Sequence, residues 1–201
     1  MSSVGWYLIL CGAVGAGRLI EMTLSRRHQR ALAKQGAPLL PERAFLAMVI
    51  LHTGVIAGAA IEVVALHRRF VPAVGIPALI ALLAANLLRW WVIATLGVHW
   101  NVRVVRSMEL GVVTGGPYRY IRHPNYVAVF LELLALPLVH GAVVTAVVGS
   151  ALHVLVLRRR IALEESVLMA DETYRSAMGG KPRFIPRVGA EARPWPTTPT
   201  S

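Results

Sequence analysis

The segment Gly115-Gly-Pro-Tyr-Arg-Tyr-Ile-Arg-His-Pro-Asn-Tyr126 of this 201-residue chain reads differently from the apolar stretches around it, because it brings aromatic and hydrogen-bonding side chains together among helix breakers. Tyr118, Tyr120, Arg122, His123, Asn125 and Tyr126 fall within nine positions. Two glycines and Pro117 break any helix there, and Pro124 pushes His123 out of the helical region. An irregular loop of this makeup can enclose a planar base and a charged ligand; an interfacial aromatic and basic anchor is the plainer alternative. A second cluster, Arg158-Arg-Arg160-Ile-Ala-Leu-Glu164-Glu165, sets Arg160 and Glu164 four apart. On one helix face these two either pair or present opposite charges to one ligand, unless the run is only stop-transfer arginines and a solvated helix. Arg89, in Asn86-Leu-Leu-Arg89-Trp90-Trp91, is a cation in an apolar stretch. Its guanidinium either snorkels along the tryptophans to the interface or holds an anion inside the fold. Glu62 and Glu132 read as packing or rim positions.

The elements that must carry these groups follow from composition. Hydrophobic residues make up 56% of the chain and charged residues 15%, with a mean hydropathy of +0.58, too apolar for an ordinary water-soluble domain. A net charge of +11 then marks loops facing an anionic membrane surface rather than nucleic acid. Apolar runs of roughly 20 residues suit membrane helices. Three are expected at Val4–Leu24, Ala44–Leu66 and Val71–Leu96. The region Tyr126–Leu157, interrupted at Pro137, His140 and Gly141, reads as a helical hairpin of two shorter spans. With five spans, 17 of the 21 lysines and arginines fall on one side, which places the N-terminus outside and the active-site loop and C-terminal tail in the cytoplasm. The expected fold is therefore an all-α integral membrane protein of about five transmembrane helices, the last two a hairpin, plus a cytoplasmic loop and C-terminal helix. It forms a single membrane domain: residues 1–96 hold three helices, 97–187 the loop, hairpin and tail helix, and 188–201 a disordered tail. Met1-Ser2-Ser3 lacks the basic side chain of a signal peptide, so the first helix is expected to remain as structure.

Weaker signals take ordinary readings. Gly12, Gly15 and Gly17 lack a preceding strand and the spacing of a nucleotide loop, and a Gly54-xxx-Gly58 pair follows, so helix packing is expected at all of them. No strand and Gly-rich loop of a Rossmann domain occurs. The seven histidines include no pair at i, i+4 spacing, so no metal site is expected. Arg18 and Glu21 can neutralise each other on one helix face. The single cysteine, Cys11, excludes an internal disulfide and reads as membrane packing.

Taken in order, Gly116-Pro-Tyr-Arg-Tyr-Ile-Arg-His-Pro-Asn-Tyr126, Arg160-x-x-x-Glu164-Glu165, Asp171-Glu-Thr-Tyr174 and Pro182-Arg-Phe-Ile-Pro186 resemble the isoprenylcysteine carboxyl methyltransferase family of integral membrane enzymes. The resemblance extends from Asn86 to about Pro186. It implies S-adenosylmethionine as methyl donor, with S-adenosylhomocysteine as product, bound at the cytoplasmic end of the last two helices under the loop and the tail. Carried over residue by residue, the cofactor contacts are Leu110, Gly111, Val112, Val113, Tyr118, His123, Pro124, Asn125, Tyr126 and Glu164. Arg160 corresponds to a residue near the substrate and Arg89 to an arginine needed for activity, so Arg89, Arg160 and Glu164 form the expected catalytic set. Asn101–Glu109 is about two residues shorter than in eukaryotic members, which leaves a contact from Arg106 open.

The resemblance implies a lipid-tailed acceptor, either a prenylated cysteine or a long-chain phenol or pyrone of polyketide origin, with membrane lipids as the other partner and no nucleic acid. Methyl transfer from a sulfonium is positioning catalysis. An ionised carboxylate acceptor needs no base, only an arginine that orients it. A phenol, with a reference pKa near 10, wants a base or a pKa-lowering cation, from His123, Glu164 or Arg89. The competing reading of another class is a non-catalytic membrane scaffold that binds a lipid or nucleotide, with no dependence on Glu164.

Overall fold

The computed structural model describes residues 2–34, 43–102 and 111–186. Leu110, Arg106 and the 188–201 tail lie outside these residues. Among the described residues every regular element is helical: α1 (Ser3–Lys34), α2 (Arg43–Ala65), α3 (Pro72–Leu96), α4 (Pro124–Leu138), α5 (Val143–Leu168) and α6 (Glu172–Met178), with single 3-10 turns at Gly97–His99 and Gly116–Arg119. The first three helices are long and apolar enough to cross a membrane. α1 runs ten residues beyond the expected Leu24, because Ser25 to Lys34 contains no glycine or proline to stop it.

α4 and α5 are joined by four residues, with Gly141 at φ 75° in the turn, where a side chain would be strained. At 15 residues, α4 is about 22 Å long, short of the roughly 30 Å bilayer core. α5 instead continues past Leu157 to Leu168, so the apolar stretch and the Arg160–Glu164–Glu165 cluster form one uninterrupted helix. Helix-forming Leu, Arg, Ala and Glu carry the last apolar helix through the charge cluster that follows it. Only the short α6 stands apart, its first turn closed by Asp171, which accepts from the Tyr174 N–H at 2.9 Å.

The packing is the reverse of a water-soluble protein's. α5 turns Val143, Val144, Val147, Leu152 and Leu155 outward and buries Ala146, Gly149, His153 and Arg160, as suits a lipid exterior. α3 and α4 make the most extensive helix contact, and α2 packs across α5 and α4. Gly149 admits α2 closely, since a Cβ there would sit 2.6 Å from Val55 Cγ2. Of the Gly54–Gly58 pair only Gly58 lies against a neighbour, Thr145 at 3.5 Å. Gly12, Gly15 and Gly17 depart from the packing expectation, because a Cβ at any of them would meet nothing within 4 Å.

Glu62 also departs from a rim role. It is buried and receives the Val144 and Thr145 N–H groups at 3.2 and 2.8 Å and the Thr145 hydroxyl at 2.8 Å. A carboxylate there satisfies the free N–H groups of the α5 N-terminus and complements its dipole. Arg68 donates to the same carboxylate at 3.0 Å.

Candidate active site

The loop before α4 is latched by the chain's later residues. The Arg122 N–H donates to the Pro182 carbonyl at 2.9 Å and the His123 N–H to the Arg183 carbonyl at 3.0 Å, while Lys181 Nζ reaches the Tyr118 carbonyl at 2.7 Å. Glu165 completes the latch from α5. It accepts from Arg183 at 3.0 and 2.5 Å, bonds His123 Nε2 at 3.0 Å and lies 3.4 Å from Arg122. The His123 ring lies between Tyr126 and Phe184, with centroids 5.3 and 6.1 Å away. The strap 181–186 thus holds His123 in place, and Pro124 starts α4 from the first-turn position that proline tolerates.

Burial alone would raise the Glu165 carboxyl, but hydrogen bonds from Arg183 and His123 and the Arg122 charge pull it from 4.5 down to about 2. A depressed carboxylate contributes its full stabilisation above its unfolded pKa and loses it as pH falls toward the folded one. The strap is therefore expected to be fully held above about pH 4.5 and to loosen progressively toward pH 2. Amide protection factors at Arg122 and His123 measure this. They should fall across that window, and Glu165→Gln should lower them already at neutral pH; protection independent of both would refute the latch.

Beneath the loop lies a chamber of about 230 Å³. Gly111, Val112, Val113, Tyr118, His123, Asn125, Tyr126, Arg160 and Glu164 line it, so most of the expected cofactor contacts meet there. Pro124 is buried in the loop's turn and is not on the wall. Trp100, Asn101, Asp171 and Tyr174 also line it and were not foreseen. Arg160 and Glu164 do not pair directly. Tyr126 stands between them, its hydroxyl donating to Glu164 and accepting from Arg160 Nε at 2.9 Å. Arg160 further donates to the Val102 carbonyl at 2.5 Å and reaches Met48 Sδ at 3.0 Å. Burial, then the nearby Glu164 charge, pushes the Tyr174 phenol up to about 12 and raises Tyr118 further, so both rings face the chamber as neutral O–H groups.

A second cavity, about 480 Å³, is a groove between α1 and α2. Its walls are mostly apolar, drawn from Leu8 to Met22 on α1 and from Phe45 to Ala60 on α2, with the open Gly12 and Gly15 on the α1 side. The fifteen residues of α1 from Leu8 to Met22 span about 21 Å. Arg18, Glu21, Arg89 and Arg160 supply its charge.

Arg89 is not where a snorkelling side chain would be. It is 5% exposed, whereas Trp90 and Trp91 face outward. Its Nε and NH2 donate to the two oxygens of Glu21 at 2.7 and 2.5 Å. Arg18 bridges the same Glu21 at 2.7 Å and Glu132 at 3.0 Å, and Arg89 NH1 lies 3.9 Å from Glu132. Two arginines and two glutamates from α1, α3 and α4 thus close a neutral buried quartet. Glu132, expected at a rim or in plain packing, is 3% exposed at its centre.

A family model described as the isoprenylcysteine carboxyl methyltransferase (ICMT) family matches residues 78–170. An "Uncharacterized protein YpbQ" from Bacillus subtilis is 30% identical over 154 residues, covering 75% of this chain and 89% of that protein. An "Uncharacterized protein" from Haemophilus influenzae is 31% identical over 152 residues, covering 75% and 88% respectively. The chain belongs to the isoprenylcysteine carboxyl methyltransferase family. Membership implies methyltransferase activity, and together with the three long apolar helices it makes this a membrane protein. The ICMT match takes in α3 through α5, hence the loop, Tyr126, Arg160 and Glu164. It stops short of the 181–186 strap, and it omits α1 and α2, which build the groove.

Proposed function

We propose that this ICMT-family chain is an S-adenosylmethionine-dependent methyltransferase that methylates a carboxylate or hydroxyl of a lipid-tailed acceptor. The observation that carries the reading is that Arg160 belongs to the wall of both cavities, the polar chamber and the apolar groove. A water-soluble donor in one and a lipid head in the other would meet at that side chain. In this reading the chain crosses the membrane five times, α4 and α5 forming the last hairpin, with the N-terminus outside and the chamber cytoplasmic.

The chamber's free groups suit the donor. Asn125 Oδ1 and Trp100 Nε1 are buried without a hydrogen-bond partner among the described residues, an acceptor and a donor available to a ligand. Glu164 and Asp171 face the same space as carboxylates, matching a ligand that carries ammonium and sulfonium charges. The Tyr118 and Tyr174 rings offer apolar faces to a planar base. The donor supplies an activated methyl group, and the chain's part is to orient the acceptor and exclude water.

A carboxylate acceptor is favoured within this reading. Of the proposed bases for a hydroxyl, Glu164 is bonded to Tyr126, and His123, which donates its Nε2 proton to Glu165, would have only Nδ1 to act with. A carboxylate needs neither. Arg160, held by Met48 and Val102 through NH1 and NH2, would orient one oxygen while the other reacts, without the full pairing that would quench it. Titration of detergent-purified protein with S-adenosylhomocysteine tests the donor half. Saturable binding is expected, weakened at least about tenfold by Glu164→Ala, since charge-assisted hydrogen bonds contribute roughly 1.5–3 kcal/mol. No binding would leave the lipid- or nucleotide-binding scaffold as the better account.

A further inference from the structure

We propose that His52 is a specificity-determining residue of the groove, accepting a hydrogen bond from an O–H or N–H that the acceptor carries close behind its reacting carboxylate. This rests on the acceptor groove proposed above and names what that groove selects.

His52 is on α2 and lines the groove. Its Nδ1 lies 2.7 Å from the Met48 carbonyl. A carbonyl oxygen only accepts, so Nδ1 carries the proton and Nε2 of the neutral ring holds a lone pair. The Met48 bond is the ring's only hydrogen bond among the described residues, which leaves Nε2 as an acceptor without a donor. In an apolar groove within a membrane helix such a group is costly unless a ligand supplies one.

The position relative to the reacting centre is fixed by the same helix. Met48, whose sulfur touches Arg160 at 3.0 Å, precedes His52 by one turn, a rise of roughly 5.4 to 6 Å along α2. An acceptor head held by Arg160 would thus pass His52 as its chain enters the groove. Space exists on the facing wall. Gly15 lines the same groove from α1 and contributes no side chain, and a Cβ there would meet nothing within 4 Å. The groove therefore offers both room at Gly15 and a lone-pair acceptor at His52, as a substituted rather than bare chain requires. The chemistry named is a long-chain carboxylate bearing a hydroxyl or amide N–H near its head.

The test uses the full-length protein in detergent with no methyl donor present. Binding of 3-hydroxyhexadecanoate, its 3-methoxy derivative and hexadecanoate is compared. Wild type should bind the hydroxy acid about tenfold more tightly than the other two, which lack the donor. His52→Phe should bring the ratio of hydroxy-acid to hexadecanoate affinity to about one, whatever its effect on hexadecanoate itself, and His52→Gln, whose amide oxygen still accepts, should restore part of that ratio. A preference that persists in His52→Phe, a wild type without preference, or failure of all three chains to bind would overturn the inference. Failure of the methyltransferase reading shows separately, as absence of S-adenosylhomocysteine binding.

Discussion

Arg160→Ala is expected to lower methyl transfer by about 100-fold or more while S-adenosylhomocysteine affinity stays within about tenfold of wild type. Three guanidinium nitrogens have assigned neighbours: the Tyr126 hydroxyl, the Met48 sulfur and the Val102 carbonyl. The cation also lies 5.8 Å from the Tyr126 ring centroid. It therefore ties the loop helix α4 to α2 and to the segment after α3 at the point where the two cavities meet. Alanine removes the group proposed to orient the acceptor and takes the Arg160 donor from the Val102 carbonyl, yet Asn125, Trp100 and Glu164 remain for the proposed methyl donor. Arg160→Lys is the sharper variant, because it keeps the charge and loses the planar fork. It should recover less than a tenth of wild-type turnover. Single-turnover rates with saturating donor, set beside the binding titration, separate the two effects. Equal loss of donor affinity and rate in both variants would place Arg160 in the donor site alone.

What could be read in the sequence was the local chemistry. The His123-Pro-Asn-Tyr126 turn, the tyrosines and the Arg160–Glu164 spacing are contiguous or one helical turn apart, so their residue types alone mark them. Most of them do meet in one chamber. What could not be read were the partners at long range. Glu21 and Glu132 are 68 and 43 positions from Arg89, and nothing in their neighbourhoods says that α1 and α4 bring them to it. Arg18 paired with Glu21 as its i, i+3 spacing suggested, yet that spacing is silent about the second bond to Glu132. Trp100 escaped for the same reason, and Asp171 and Tyr174, though inside the recognised motif, gain a place in the chamber wall only where the chain returns. Glycine spacing misled at Gly12 and Gly15, because a helix-packing motif and the open wall of a groove require the same small residues. Glu165 was part of the recognised motif, but its role in holding the strap appears only once Arg183 folds back onto it.

The buried quartet allows stability and turnover to be separated. Two arginines and two glutamates balance, and removing one member leaves a buried charge uncompensated, which costs about 3–5 kcal/mol. Glu21→Leu leaves Arg18 and Arg89 sharing Glu132 alone, and Arg89→Leu leaves Glu21 and Glu132 sharing Arg18. Each single variant should lower the midpoint of thermal unfolding in detergent by roughly 10 °C for a chain of this size. The double variant Glu21→Leu/Arg89→Leu restores the balance, since Arg18 and Glu132 are already 3.0 Å apart, and it should regain most of the loss. Arg89 lines the groove and not the donor chamber, so the double variant should also bind S-adenosylhomocysteine normally. Turnover should nevertheless stay near zero, because the cation proposed to face the acceptor from the groove wall is gone. Recovery of methyl transfer along with stability would reduce Arg89 to a structural ion. A double variant as unstable as the singles would mean that the quartet's geometry, rather than its charge balance, holds α1 to α3.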